Sequence, residues 1–503
     1  MTQLKRSSGL LLHPTSLPGP FGIGEISIEA YKWIDFLVEA RQSVWQILPL
    51  GPTGYGNSPY QTTSVFAGNP LLIDPARLVS EGYLSQSDLD HAPAFSGQEV
   101  EFDKVIDWKI PLLLSAYERF EHNAPAHERE AFASFCHTND ARWLDEYAFF
   151  VALKNFYGKK AWYNWPPEVK LRRPEALQAL RQQLARQIAA QKFLQYQFYK
   201  QWQDLKRYAN ERGVQIMGDI PIYITLDSAE VWANQEAFCL DEDGNPTIVA
   251  GVPPDYFSKT GQLWGNPIYD WEVMHRDGYR WWAERVRVTL ESVDLVRIDH
   301  FRGFEAYWAV PYGHKTAEHG EWLKGPGRAL FDALRQQLGE MPIVVEDLGF
   351  ITPEVGALRD HYNFPGMKIL QFSFGGDPEE PFLPHNYQSN CIVYTGSHDN
   401  DTTKGWFKTA PKHEQEYCLK YLGRSRARLD IAWELMRLGS ASVAKMCIFP
   451  LQDMLSLDSR ARMNVPGKAS GNWGWRVSRE QIAAADVKKL AEMTEMYGRA
   501  PGK

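Results

Sequence analysis

Eight short apolar runs, each giving way to polar, Gly or Pro residues, constrain the fold of this chain most strongly. They are GLLLHP (9–14), SVWQILPLG (43–51), VQIMGDIPIYI (214–224) and DLVRIDHF (294–301). The series continues with PIVVEDLG (342–349), MKILQFSF (367–374), CIVYTGSHD (391–399) and AKMCIFPLQD (444–453). Continuous apolar runs of this length suit strands covered on both faces, as in a parallel sheet. Segments with helical periodicity and polar outer faces lie between most of them, at 26–39, 193–212, 279–290, 329–338, 353–361 and 426–438. Alternating strands and helices build right-handed βαβ units, and eight of them predict an α/β fold, a closed (β/α)8 TIM barrel.

At about 150 residues per domain, a chain of this length suggests about three domains. One barrel absorbs the 503 residues if two long connections are insertions. The first, 52–192, separates the second and third runs; the second, 225–278, is rich in Gly, Pro, Asn and aromatics. Connections this long normally lie over the active face of a barrel. The reading is therefore a single catalytic domain over 1–503, with largely helical and loop subdomains above the C-terminal ends of the strands. The Gln/Arg/Ala run at 177–191 reads as an exposed helix.

Composition narrows the partners. The balance of 54 basic against 62 acidic residues gives a net charge of −8, which argues against nucleic acid or an anionic membrane surface. No stretch approaches the 18 apolar residues of a membrane span, and the apolar run 9–12 is too short for a signal peptide. Cys136, Cys239, Cys391, Cys418 and Cys447 are widely spaced with no CxxC, as for reduced thiols in the cytoplasm.

Several runs end in carboxylates: Asp219, Asp299, Glu346–Asp347 and Asp399–Asn400–Asp401, with His300 and His398 beside two of them. In a barrel all such ends converge on one face. Carboxylates, an Arg and His without a Ser or Cys nucleophile motif fit glycosidic bond cleavage, where one carboxyl group attacks and a protonated second one donates. Arg297 lies two residues before Asp299, so a strand places both on one side. Flat rings stack on sugars, and the aromatic content of 13% offers Tyr55, Tyr60, Phe257 and Trp264 in Gly/Pro/Asn-rich loops. A metal-dependent hydrolase using Asp299, His300, Glu346, His398 and Asp399 is a rival reading, but no metal-ligand spacing such as HExxH appears. No metal or cofactor is therefore expected.

Long strings in the chain resemble glycoside hydrolase family 77, the 4-α-glucanotransferases of the α-amylase clan, called amylomaltase or disproportionating enzyme. They include HPTSLPGPFGIGE (13–25), GPTGYGNSPYQTTSVFAGNPLLID (51–74), GVPPDYFSKTGQLWGNPIYDW (251–271), VRIDHFRGF (296–304), VVEDLG (344–349), GSHDNDTT (396–403) and RMNVPGKASGNWGWR (462–476). The resemblance implies a barrel without the C-terminal β-domain of α-amylases. It implies Asp299 as nucleophile, Glu346 as acid and base, and Asp399 as the group that bonds the ring hydroxyls of the distorted sugar. Arg297, Asp219, His398, Tyr60, Ser58, His300 and Asn464 would surround that sugar. Asp255, Gln262, Trp264 and Asn266 would belong to a lid at 251–271, and Tyr55 to an outer glucan site. The partners implied are α-1,4-glucans such as maltodextrin, amylose, starch or glycogen, without an obligate protein partner. For a retaining mechanism the carboxyl groups of Asp299 and Glu346 are expected ~5–5.5 Å apart. An α-1,4-glucan hydrolase of the same clan is the alternative, and a non-catalytic glycan-binding scaffold a further rival that the presence of both acids disfavours.

Overall fold

The computed structural model describes residues 4–254, 258–427, 429–468 and 470–502, the Tyr55 side chain excepted. Each of the eight apolar runs forms a strand. These are β1 (Ser7–Leu11), β2 (Val44–Gln46), β3 (Gln215–Pro221), β4 (Leu295–Asp299), β5 (Ile343–Val345), β6 (Gly366–Ile369), β7 (Cys391–Tyr394) and β8 (Met446–Pro450). They pair in parallel in the order β6-β7-β8-β1-β2-β3-β4-β5. The seam between β5 and β6 is thinner. Val345 N–H donates to Pro365 O at 3.0 Å, and Met367 N–H donates to the Asp347 carboxylate at 2.7 Å. Gly366 leaves room for that carboxylate: a Cβ there would meet Asp347 Oδ2 at 2.3 Å.

Alternation along each strand divides the core. Leu11, Val44, Met217, Leu295, Val344, Met367, Ile392 and Met446 pack together, while Leu10, Trp45, Ile216, Val296, Ile343, Cys391 and Cys447 join a second cluster with the helices. The first set fills the barrel and the second cements its wall, as period-2 side chains in a covered parallel sheet require. The helices Ile28–Glu39, Ala185–Glu211, Arg280–Ser292, Gly327–Leu338, Pro353–His361 and Ile431–Ala441 cross between strands. Between β6 and β7 the chain forms only two 3-10 turns, Leu370–Phe372 and Pro384–Asn386. Among the described residues no strand follows Pro450; the chain continues through short helices, the last being Val487–Met496.

Long helices dominate between β2 and β3, notably Phe102–Asn123, Ala126–Asn139 and Asp145–Phe156. Lys109 and Glu25 form an ion pair, both fully buried, and Lys109 also donates to Leu71 O at 2.7 Å. This ties the helix Phe102–Asn123 to the loop that leaves β1. The run expected as one exposed helix at 177–191 breaks at Leu184 into Pro174–Gln183 and Ala185–Glu211, and Leu177, Leu184 and Ile188 are buried. Its polar composition concealed a narrow apolar stripe.

The second long connection is more ordered than its composition suggests. Its strands Ile248–Val252 and Gln262–Pro267 join Ala306–Pro311 and Glu321–Lys324, which follow β4, in a four-stranded antiparallel sheet. Two separate segments thus build one platform beside the barrel mouth.

Candidate active site

The C-terminal ends of β3, β4, β5 and β7 bring four of the carboxylates together. On β4, Arg297 and Asp299 share a face, and the Arg297 guanidinium donates to Asp299 at 2.7 Å and, through its other terminal nitrogen, to Asp219 at 2.6 Å. The Arg297 Nε faces Met367 Sδ at 3.3 Å. Arg297 and Asp219 are sealed, with side chains 4% and 0% exposed, while Asp299 keeps 30% and Asp399 48%. The Arg297–Asp219 pair is therefore closed off from solvent, whereas Asp299 and Asp399, and in part Glu346, keep surface that a ligand can reach. Burial opposes the Arg297 charge, but Asp219 and Asp299 outweigh it and hold its pKa well above the usual arginine value.

Glu346, one residue beyond β5, is held by main chain. Its Oε1 accepts the Leu348 N–H at 2.6 Å and its Oε2 the His300 N–H at 2.8 Å. Burial, and next the negative charge of Asp299, push the Glu346 carboxyl up to about 8. It is thus protonated at neutral pH. His300, in left-handed conformation at φ 51°, aims its N–H at Glu346, and burial lowers its ring to about 4, so it stays neutral.

Tyr60 bridges the first long connection to this centre. Its hydroxyl donates to Asp219 at 2.7 Å and its ring stacks on His398, 5.0 Å between centroids. Ser58 Oγ accepts the Tyr60 N–H at 3.2 Å and shapes the turn that presents it. His398 Nε2 lies 3.4 Å from Asp399, whose other oxygen accepts from Asn464 at 2.6 Å. Trp264 meets His300 edge-on at 4.7 Å, and Gln262 accepts its indole N–H at 3.2 Å. Asn266 turns the other way: buried, it donates to Ile224 O at 2.9 Å and braces the connection. Asp255 and Phe257 lie outside the described residues, as does the Tyr55 side chain, whose backbone opens the turn Tyr55–Asn57.

Two strand-end acids stand apart. Asp347 pairs with Arg359 at 2.5 Å in the barrel seam, and Asp401 accepts from Ser459 at 2.7 Å. Three further side chains complete the centre. Arg462 donates to Asp399 O and Asn464 O, each at 2.7 Å. Trp473 lies 5.8 Å from Tyr60 and 6.0 Å from His398. His13 accepts the Leu48 N–H at 3.3 Å and is kept neutral by burial, then by His398, with its pKa lowered to about 3. All three lie within family-like strings, yet only strings, with no spacing rule, could have singled them out. Among the described residues no three His, Cys, Asp or Glu side chains are grouped as metal ligands.

The model of glycoside hydrolase family 77, 4-alpha-glucanotransferase, matches residues 12–482. The chain belongs to glycoside hydrolase family 77. It is 52% identical to the 4-alpha-glucanotransferase of Synechocystis sp. over 98% of both chains. It is 49% identical to that of Thermus thermophilus, over 98% of this chain and 99% of the relative. The structure of amylomaltase from Streptococcus agalactiae in complex with acarbose superposes with a TM-score of 0.95 at 39% identity, covering 99% of this chain and 100% of that one. The family 77 assignment rests on sequence and fold alike, and the barrel is the common frame.

Proposed function

We propose that this family 77 chain is a 4-α-glucanotransferase that moves α-1,4-glucan segments by retaining double displacement. The observation that carries the reading is Glu346, a half-buried carboxyl pushed up to about 8, close to Asp299, which Arg297 orients at 2.7 Å. Environments that split two carboxyl groups into a protonated and an ionised partner assign acid and nucleophile.

Asp299 attacks the anomeric carbon of the donor as Glu346 gives its proton to the departing glycosidic oxygen. A β-glucosyl ester on Asp299 results, and a shortened sugar leaves. Glu346, now ionised, takes the proton of an acceptor 4-hydroxyl, whose oxygen attacks the anomeric carbon and releases Asp299. Asp399 bonds ring hydroxyls of the sugar as it flattens toward the oxocarbenium-like state, with Asn464 and Arg462 holding it from behind. Tyr60, stacked on His398, supplies the ring face. When the acceptor is the donor's own far end, a cyclic glucan forms.

Trp264, edge-on to His300, covers the site and limits water, favouring a sugar acceptor over hydrolysis. The cycle balances with carboxyl groups alone and calls on neither cofactor nor partner chain, so one catalytic barrel spanning 1–503 with insertions 52–192 and 225–278 suffices. Among the described residues no helix is long and apolar enough to cross a membrane. Five free cysteines fit residence in the cytoplasm.

Incubation with maltotriose tests the reading. Transfer gives glucose with a ladder of longer maltodextrins; reducing ends without elongation would establish the hydrolase instead.

A further inference from the structure

Two large aromatic side chains stand in solvent close to the acid/base end of the site. Phe350 is 76% exposed and Trp322 is 41% exposed. Neither belongs to a core cluster, and the backbone delivers each to the surface. Gly349, left-handed at φ 80°, turns the chain sharply after Glu346 and delivers Phe350 to the surface. Trp322 lies directly across the antiparallel ladder from Trp308, with ring centroids 5.4 Å apart.

Arg302 joins them. It donates to Phe350 O, and its guanidinium lies 4.0 Å from the Trp322 ring centroid and 5.7 Å from that of Phe350. It also belongs to the turn Phe301–Phe304, where Phe301 N–H donates to Glu346 O at 3.1 Å. The rings are therefore tied through one turn to the backbone of Glu346.

We propose that Phe350 and Trp322, spaced by Arg302, form a stacking platform for the reducing-end side of an α-1,4-glucan, beyond the sugar that touches Glu346. The proposal rests on the transfer reading above. Glu346 serves the leaving oxygen and then the acceptor hydroxyl, so the departing and arriving chains both extend past its side of the site. A glucan there offers alternating apolar ring faces and hydroxyl edges. Exposed rings match the faces, and the Glu305–Lys324 ion pair on the same segment is a polar neighbour for the hydroxyls. The platform ranks acceptors by length, since glucose is too short to reach it.

α-Maltosyl fluoride as donor isolates this side, because its leaving group is a single fluoride. With it, KM is measured for glucose and for maltotetraose as acceptors. Phe350→Ala is expected to raise KM for maltotetraose about 10-fold relative to KM for glucose in the same variant, and Trp322→Ala similarly. Trp322→Phe, which keeps a ring and its packing, is expected to recover most of the lost preference. Phe350 is exposed enough that its truncation leaves the fold intact, so it decides the matter even if Trp322→Ala fails to fold. Equal changes for both acceptors, or none, would overturn the platform. A wild-type enzyme that releases fluoride but elongates neither acceptor overturns the transfer reading itself.

Discussion

The backbone N–H of His300 reaches Oε2 of Glu346 at 2.8 Å, so the residue after Asp299 holds the carboxyl that stands at the end of the neighbouring strand. The contact requires His300 at φ 51°, a conformation costly for side chains branched at Cβ. His300→Gly is expected to retain this N–H donor, losing only the ring contact with Trp264. His300→Val is expected to lower kcat a further ~10-fold or more, because it strains the turn that aims the donor. Steady-state kinetics on maltotriose compare the two.

The Glu346 carboxyl at about 8 sets an alkaline limit. In the proposed cycle its acid form releases the leaving sugar, so kcat/KM for maltotriose is expected to fall as pH rises through about 8, approaching tenfold per pH unit. Glu346→Gln should lower kcat by ~10²–10⁴ and flatten that limb. With α-maltosyl fluoride, whose departure needs little protonation, the same variant should accumulate the glycosyl ester on Asp299, visible as added mass on the intact protein.

Removing the Asp299 charge has two separable effects. Asp299→Asn is expected to lower transfer by at least about 10³-fold while circular dichroism and maltodextrin binding persist. Loss of that neighbouring charge should also bring the Glu346 carboxyl down from about 8, measurable by infrared titration of the carboxyl band. Arg297→Met removes the cation between Asp299 and the sealed Asp219, and is expected to destabilise the fold by ~3–5 kcal/mol in urea denaturation.

Away from the site, Glu230 is buried at about 7, chiefly through loss of water, with Ser64 donating to it at 2.5 Å. A carboxyl raised on folding contributes its full stability below the unfolded value near 4.5 and loses it as pH rises through the folded one. Wild type is therefore expected to lose up to about 1.4 kcal/mol per pH unit from this group between about pH 4.5 and about 7, where the unfolded chain has shed the proton and the folded one keeps it, and to lose nothing further above that. Glu230→Gln should remove that contribution to the slope in urea melts from about pH 4.5 to about 8.

Gly366→Ala tests the barrel seam, because the new methyl would meet Asp347 Oδ2 at 2.3 Å. A destabilisation of ~1–3 kcal/mol is expected, with a loss of activity through the nearby Glu346.

The barrel was legible because each strand announces itself locally: CIVY or MCIFP is apolar throughout, whatever it pairs with. The antiparallel sheet was hidden, since Ala306–Pro311 borders Ile248–Val252 across more than fifty intervening residues and reads alone as a short aromatic stretch. In the site, Arg297 and Asp299 followed from strand alternation. Glu346 and Asp347 looked equivalent as adjacent acids, yet opposite pleats send one to the site and the other to Arg359. Arg462 carries no such cue, being loop-borne and far along the chain from Asp399.

The shared antiparallel sheet also has a mechanical meaning. The segment around Trp264 is not hung from the barrel at its own two ends alone; its strands are laced to the chain that has just left Asp299, with Val249 opposite Val310 and Ala250 opposite Ala309. Pulling that segment outward as a whole would strain the exit of β4. Backbone amides of Ile248–Val252 and Ala306–Pro311 should then exchange with deuterium as one cooperative unit.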